Sequence, residues 1–535
     1  MNKYIKYIMA LVVAASAASC DDYLSEIPNR GQDEVLNNVE QLHALFANSD
    51  LFSTPAGFVA PQSDDFFFTT DMADALGYVS SDFSSAFTWS LDGCDAMQYD
   101  DTWSSCYQKV FTANLVINGI DDVEASDEEK SEYLAHAHFL RGMAMLELAN
   151  NFCLPYSEET LNELGLPLKQ STGYEESLAR ATVGETYKFI EDDLLAAYNG
   201  TPRADITEQE RWLVGKTSAA ALLARFYLFT GNYEKSEQFA KEALKSTVAT
   251  LFDYNQFSTY TITAGGGWYA KHRSTRAGED DGDEWGDDEW SDDEWNEDGD
   301  DWGESGTELT FCELYGWEPA DYSHFSEFFY PATYNINMST SLLPSEALVN
   351  LYDHDNDLRF NLFYVENGYD NYYITGCGFG DEWTYHNISS WSGEVYFGAA
   401  PTVAEVYLTL AEAQARQGKT VEALANINTL RASRYAAGSD YELTESDGDV
   451  LTLVLDERHR ELPFMMRWYD IRRFAYNETP SDDVVPVHNF YGVKNGILDY
   501  EPQTFTLPLK SRRYAKPILT KEIERSYGQI EQNKY

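Results

Sequence analysis

Basic residues are scarce in this sequence: 37 Lys and Arg stand against 90 Asp and Glu in 535 residues, a formal net charge of −53. That balance argues strongly against nucleic acid as a partner, because phosphate neutralisation needs clustered cations. It disfavours anionic lipid surfaces for the same reason. Cysteine is sparse too. Cys20, Cys94, Cys106, Cys153, Cys312 and Cys377 include no Cys-x-x-Cys pair, which removes zinc ribbons and thioredoxin-like redox motifs. The nine histidines show no ligand spacing, and no His-Glu-x-x-His, Gly-x-Ser-x-Gly or phosphate-loop motif occurs. Long apolar runs are missing after the first 19 residues. None approaches the roughly 20 residues of a membrane-spanning helix, so the mature chain is expected to be soluble.

What is present begins with "ALVVAASAASCDDYL", Ala10 to Leu24. Lys3 and Lys6 form a basic start, Ile8 to Ala15 an apolar middle, and Ser16 to Ser19 a small-residue stretch. This is the pattern of a secretory leader. Cys20 directly after it resembles a bacterial lipobox, in which the cysteine is diacylated and becomes the new N-terminus. Residues 1–19 are therefore expected to be a lipoprotein signal peptide, with Cys20 the lipid tether. Five cysteines then remain, an odd number that forbids complete internal pairing. Cys94 and Cys106 are the nearest pair for a bridge in an exported protein.

Helical periodicity dominates the first half. Cys106–Ile120, Glu129–Cys153 and Thr182–Tyr198 each show apolar residues at helical spacing, the last opening on Thr182 with Glu185 in capping-box position. Two further segments look alike: "SAAALLARFYLFTGNYEKSEQFAKEAL" from Ser218 and "AEVYLTLAEAQARQGKTVEALANINTL" from Ala404. Each reads as a helix, a turn containing Gly231 or Gly418, and a second helix. Small residues (Ala224, Ser236 and Ala243; Ala411 and Ala423) recur where the helices must approach. Both resemble tetratricopeptide units, which stack sideways and present protein-docking faces. From about residue 251 to 397 the periodicity fades and Gly, Asn, Asp, Tyr and Trp accumulate. This stretch is expected to form long loops with short strands over a helical scaffold, the usual home of binding residues.

Three stretches carry a family resemblance. "CDDYLSEIP" (Cys20–Pro28), "DERHRELPFMMRWYDIRRF" (Asp456–Phe474) and "SRRYAKPILTKEIERSYGQIEQNKY" (Ser511–Tyr535) are similar to the opening, the Arg-Trp helix and the closing elements of the SusD/RagB family of outer-membrane lipoproteins. "WSSCYQKVFTANLVINGID" and "PSEALVNLYDHDNDLRF" fit weaker patterns of the same family. Met465 and Met466 depart from its common Glu-Gly, and Leu519 from its Pro-Ile-Pro. The resemblance implies a mainly α protein: one SusD-like domain over 20–535, with tetratricopeptide-like helix pairs and an irregular ligand-binding half. Its N-terminal part would run to about 245 and its C-terminal part from about 305. It also implies nutrient capture for a TonB-dependent outer-membrane barrel, over which the lipoprotein sits as a lid. The ligand would be an oligosaccharide, with oligopeptide the close alternative.

Glu457 and Glu461, one helical turn apart, have the residue type of a glycosidase acid and nucleophile, the rival reading being a surface glycoside hydrolase. Interleaved with Arg458 and Arg460, however, they read as an ion-paired helix surface. Arg467, Asp470, Arg472 and Arg473 are expected to form an ion-pair cluster locking this helix to the core. Asp353, Asp355 and Asp357 begin like an EF-hand loop, but Leu358 and Tyr364 replace its glycine and glutamate, so Asp357 and Arg359 are expected to pair or cap locally. No enzymatic activity is expected. Aromatics are the positive signal at 15 % of the chain, since their flat rings suit sugars and peptides. Trp89, Tyr99, Trp103, Trp268, Trp383 and Trp391 are the candidate ligand contacts, with core packing the competing role for each. Gly278–Glu304, "GEDDGDEWGDDEWSDDEWNEDGDDWGE", matches no family pattern and reads as an acidic insertion, mobile when unaided. Oxygen-rich acidic loops with glycines suit calcium, and Asp281, Asp283, Asp287, Asp288 and Asp292 are its candidate ligands.

Overall fold

The computed structural model describes residues 36–55, 59–68, 81–91, 101–173, 175–207, 210–256, 326–337, 343–366, 383–385, 394–494 and 497–535. The helices, in chain order, are α1 (Val39–Phe46), α2 (Ser81–Phe87), α3 (Thr102–Gly119), α4 (Asp127–Phe152), α5 (Val183–Gly200), α6 (Lys216–Phe229) and α7 (Tyr233–Ala243). They continue as α8 (Glu346–Val349), α9 (Leu358–Phe363), α10 (Val403–Arg416), α11 (Thr420–Ala432), α12 (Val450–Glu461), α13 (Met465–Phe474) and α14 (Thr520–Arg525). The mainly α expectation holds. No described helix is long and apolar enough to cross a membrane.

Helix starts follow side-chain chemistry. Thr182 caps α5 as its sequence suggests: its hydroxyl accepts from Glu185 N at 3.1 Å, and the Glu185 carboxylate accepts from Thr182 N at 2.8 Å. Ser126 and Glu129 make the same reciprocal cap on α4, so that helix begins before the periodic apolar residues do. Both predicted hairpins form, as α6–α7 and α10–α11. Gly231 and Gly418 sit at their turns with φ +75° each, a left-handed conformation that costs glycine nothing. The next amides bond back five residues, Asn232 N to Tyr227 O and Lys419 N to Gln414 O, each at 2.9 Å. This is the Schellman closure.

Strands are short and pin loops to the helices. β1 (Ser53–Pro55) runs parallel to β3 (Thr333–Asn337), which pairs antiparallel with β7 (Glu394–Gly398). β2 (Phe66–Phe67) pairs with β4 (Leu343–Pro344), and β5 (Tyr364–Glu366) with β6 (Trp383–Tyr385). The short strands expected within residues 251–397 are thus present. A longer hairpin, β8 (Val487–Lys494) with β9 (Ile497–Thr506), was not signalled by alternation in the sequence. One large core draws on α1 to α10, α13 and the chain end, with a smaller cluster between α10, α11 and α12.

Candidate functional site

The Arg-Trp helix region shows what its charges do. Glu457 is fully buried and accepts from Arg359 at 2.7 Å, Arg431 at 2.5 Å and Arg460 at 2.9 Å. Glu461 accepts from Arg359 and Arg434, both at 2.8 Å. Burial pushes both carboxyls up, but the guanidiniums, Arg359 foremost on Glu457 and Arg434 on Glu461, hold them below the ordinary carboxylate range. A carboxylate fixed in its charged form cannot serve as a general acid near neutral pH. The pair is structural as expected, but it lies in the interior rather than on a helix surface. Helical spacing cannot reveal that, because the partners Arg359, Arg431 and Arg434 come from distant segments.

Asp470 accepts from Arg458 at 2.7 Å and Arg473 at 2.8 Å, and Arg473 grips Glu412 of α10 at 2.6 and 2.7 Å. Arg467 donates to Asp64 through Nε and Nη2, each at 2.8 Å. The expected cluster forms in part: Asp470 and Arg473 pair with each other, while Arg467 finds its carboxylate in Asp64. Arg472 departs from it: its guanidinium donates to the carbonyls of Tyr514 (2.8 Å) and Cys153 (2.5 Å), tying down the chain end. Asp357 both caps α9, accepting from Arg359 N at 3.0 Å, and pairs with the Arg359 side chain at 2.7 Å.

Among the described residues, Asp64, Asp65 and His459 place ligand-type atoms within 4.8 Å of one another. Each already has a protein partner. Asp64 is held by Arg467 and, although burial raises its carboxyl, that cation brings it down to about 2. Asp65 takes His459 at 2.5 Å and Phe464 N at 2.6 Å. The trio fastens the α12–α13 turn, where Phe464 has φ +64°.

Trp89, expected among the ligand contacts, is instead a core residue. It is 4 % exposed, its indole N–H donates to Gln62 O at 3.1 Å, and its ring stacks on His488 at 4.4 Å. Trp103 is also buried, packed edge-on against Phe152 at 5.0 Å. Both follow from ring size, since large apolar area is drawn inside unless a ligand surface competes for it. Trp383 lies on β6 opposite Glu366. Tyr99, Trp268, Trp391, Cys20, Cys94 and the acidic residues Asp281, Asp283, Asp287, Asp288 and Asp292 lie outside the described residues.

Trp103 nevertheless borders a cleft between α3, the 167–178 segment and α14. It encloses about 690 Å³, solvent included, and is lined by Tyr107, Phe111, Leu178 and Ile530 among others. Gln529 Oε1 closes one side by accepting from Leu178 N at 3.1 Å. Sequence reasoning missed this cleft, because α3 and α14 are more than 400 residues apart in the chain.

Residues 22–228 match a family model described as starch-binding, associating with the outer membrane, and residues 400–535 match the SusD family model. SusD-like protein P2 of Formosa agariphila is 23 % identical over 81 % of this chain and 88 % of its own length. A SusD superfamily protein of Bacteroides thetaiotaomicron superposes with a TM-score of 0.62 at 18 % identity, covering 93 % of this chain and all of that one. A laminarin-binding SusD-like protein superposes at 0.53 and 17 %, covering 93 % and 99 %. With sequence motifs, helix-pair architecture and relatives at both ends of the chain in agreement, this protein belongs to the SusD/RagB family.

Proposed function

We propose that this protein is a surface-exposed lipoprotein of the outer membrane that captures an oligosaccharide and delivers it to a TonB-dependent barrel, over which it acts as a lid. The observation that carries the reading is a SusD-type fold along the chain in the company of neighbours such as the laminarin-binding SusD-like protein. The ion-locked carboxylates of α12 support binding without catalysis, since neither can exchange a proton near neutral pH. Affinity electrophoresis of the mature protein against laminarin, starch and other glycans, alongside a peptide panel, tests the ligand class. Retardation by a glycan supports the proposal; retention only by peptides replaces the sugar with a peptide, and product release by the purified protein alone replaces binding with hydrolysis.

Cys20 is the tether in this reading, and Cys20→Ala is expected to free the protein from the membrane fraction. Unchanged retention would overturn the anchor. For the acidic insertion, calcium held by Asp281, Asp283, Asp287, Asp288 and Asp292 would neutralise a segment carrying no Lys or Arg. Protection of that segment from protease by millimolar calcium supports the site, and indifference to calcium makes it a solvated loop.

A further inference from the structure

Helices α3, α4 and α6 meet strand β1 around a small interior cavity, and Ala399, just after β7, completes its wall. Every residue that lines it is buried. The cavity measures about 20 Å³. A water needs roughly 10–15 Å³, whereas pockets for small molecules run to about 300–1,000 Å³, so a sugar ring has no room here. The charged groups at the wall are balanced within the protein. The Glu147 carboxylate accepts from Tyr469 at 2.6 Å, from Asn151 at 2.9 Å and from the Tyr334 hydroxyl. Arg225 is paired with Glu405 and donates to Ala399 O.

Three other polar groups at the same wall are not answered. The Lys109 ammonium donates to Ser53 O at 2.8 Å and to Thr54 Oγ1 at 3.0 Å, and has a third N–H to give. Thr54 spends a lone pair on that lysine, while its own O–H meets no acceptor among the described residues. Asn150 is 5 % exposed, and no group among the described residues bonds its side-chain amide. It lines the cavity from α4 beside Met143, Leu146 and Glu147, which share its helix face by their spacing. Burial pulls the Lys109 ammonium below the ordinary lysine range, so a further acceptor would replace hydration that it has lost. Buried polar groups are rarely left unpaired in folded proteins. An apolar occupant would answer none of the three. A cation would be repelled by Lys109, and an anion by Glu147. Water has two donors and two lone pairs, so it can accept from Lys109 and Thr54 and donate to Asn150.

We infer that this cavity is a binding site for one ordered water, which bridges Lys109, Thr54 and Asn150 and so joins β1 and α3 to α4. The bridge matters beyond its size because β1 pairs with β3, and β3 with β7, so it fixes the strand from which that sheet hangs. It does not depend on which nutrient the protein captures. The test is a high-resolution crystal structure of the full mature chain, paired with one of the Asn150→Leu variant. The parent is expected to show a density peak about 2.7–3.2 Å from Lys109 Nζ and from the Asn150 amide. Asn150→Leu, with an apolar side chain of similar reach, is expected to lose that peak. No peak in the parent, a peak that survives Asn150→Leu, or contacts at the roughly 2.0–2.6 Å of a bound metal ion would overturn the site. Thermal unfolding gives an independent check, because Lys109 and Asn150 make no direct hydrogen bond. Lys109→Met and Asn150→Leu are each expected to lower Tm, and the double variant to lose clearly less than the sum. Strictly additive losses would overturn the bridge.

Discussion

The hairpins α6–α7 and α10–α11 share a plan of helix, glycine turn and helix, yet their first helices are buried in different ways. Every residue of α6 from Thr217 to Phe229 is buried, so this helix has no solvent face at all. Its partner α7 covers one side, and α5, α4 and α10 cover the rest. Helix α10 divides its apolar residues instead. Val403, Val406 and Leu410 join the main core, while Ala404, Leu408 and Ala411 join the smaller cluster with Ile427 and Leu430 of α11. In the first turn of α11, Val421 is 70 % exposed. The same local pattern therefore serves a keystone in one place and a flank in another. What differs is whether its buried residues meet one core or two.

The two units are bolted together by charge. Arg225 of α6 meets Glu405 of α10 through paired contacts of 2.6 and 2.5 Å, both side chains almost fully buried. Nearer the surface, Glu237 of α7 accepts from Lys419 at 2.5 Å and Gln417 at 2.9 Å in the α10–α11 turn. Breaking the inner bolt should produce the largest effect. Arg225→Met leaves Glu405 buried without its cation and is expected to cost about 3–5 kcal/mol in denaturant unfolding. Adding Glu405→Leu should recover most of that loss; no recovery would mean the pair acts through something other than its charges.

Next in size come cavities. Leu222→Ala in α6 is expected to cost near the top of the roughly 2–5 kcal/mol range for such truncations, and Ile427→Ala in α11 nearer the bottom. The outer cluster has less packed around it and can collapse further into the gap. Equal losses would remove the distinction between keystone and flank.

The outer bolt gives a pH signature. Burial pushes the Glu237 carboxyl up, but Lys241, Lys419, Gln417 and Gln414 draw it down to about 2 from 4.5. Because the folded value lies below the unfolded one, the clasp stabilises fully above about pH 4.5 and is lost as pH falls toward 2. Glu237→Gln should flatten the acid limb of the stability profile relative to the parent in this window. Superimposable profiles would show that the contact contributes nothing measurable. Smallest of all, Val421→Ser is expected to stay within about 0.5 kcal/mol, since an exposed valine is not part of either core.

The amino-acid sequence alone determined the local grammar of this protein. Capping at Thr182, the glycine turns at 231 and 418, the periodic faces of α3 to α7, the local pairing of Asp357 with Arg359 and the family motifs are all near-neighbour features, set by hydrogen-bond reach and helical spacing. Tertiary structure decided the rest. It sank Glu457 and Glu461 into the interior among arginines from other segments, and drew Trp89 and Trp103 into the core. It turned Arg472 from an ion-pair partner into a clamp on the chain end. It also brought α14 across the protein to close a cleft against α3 and leave Tyr527 in solvent. Burial and long-range pairing depend on which surfaces meet after the chain has folded, and a residue's type fixes its appetite for such contacts but not the partner that answers it.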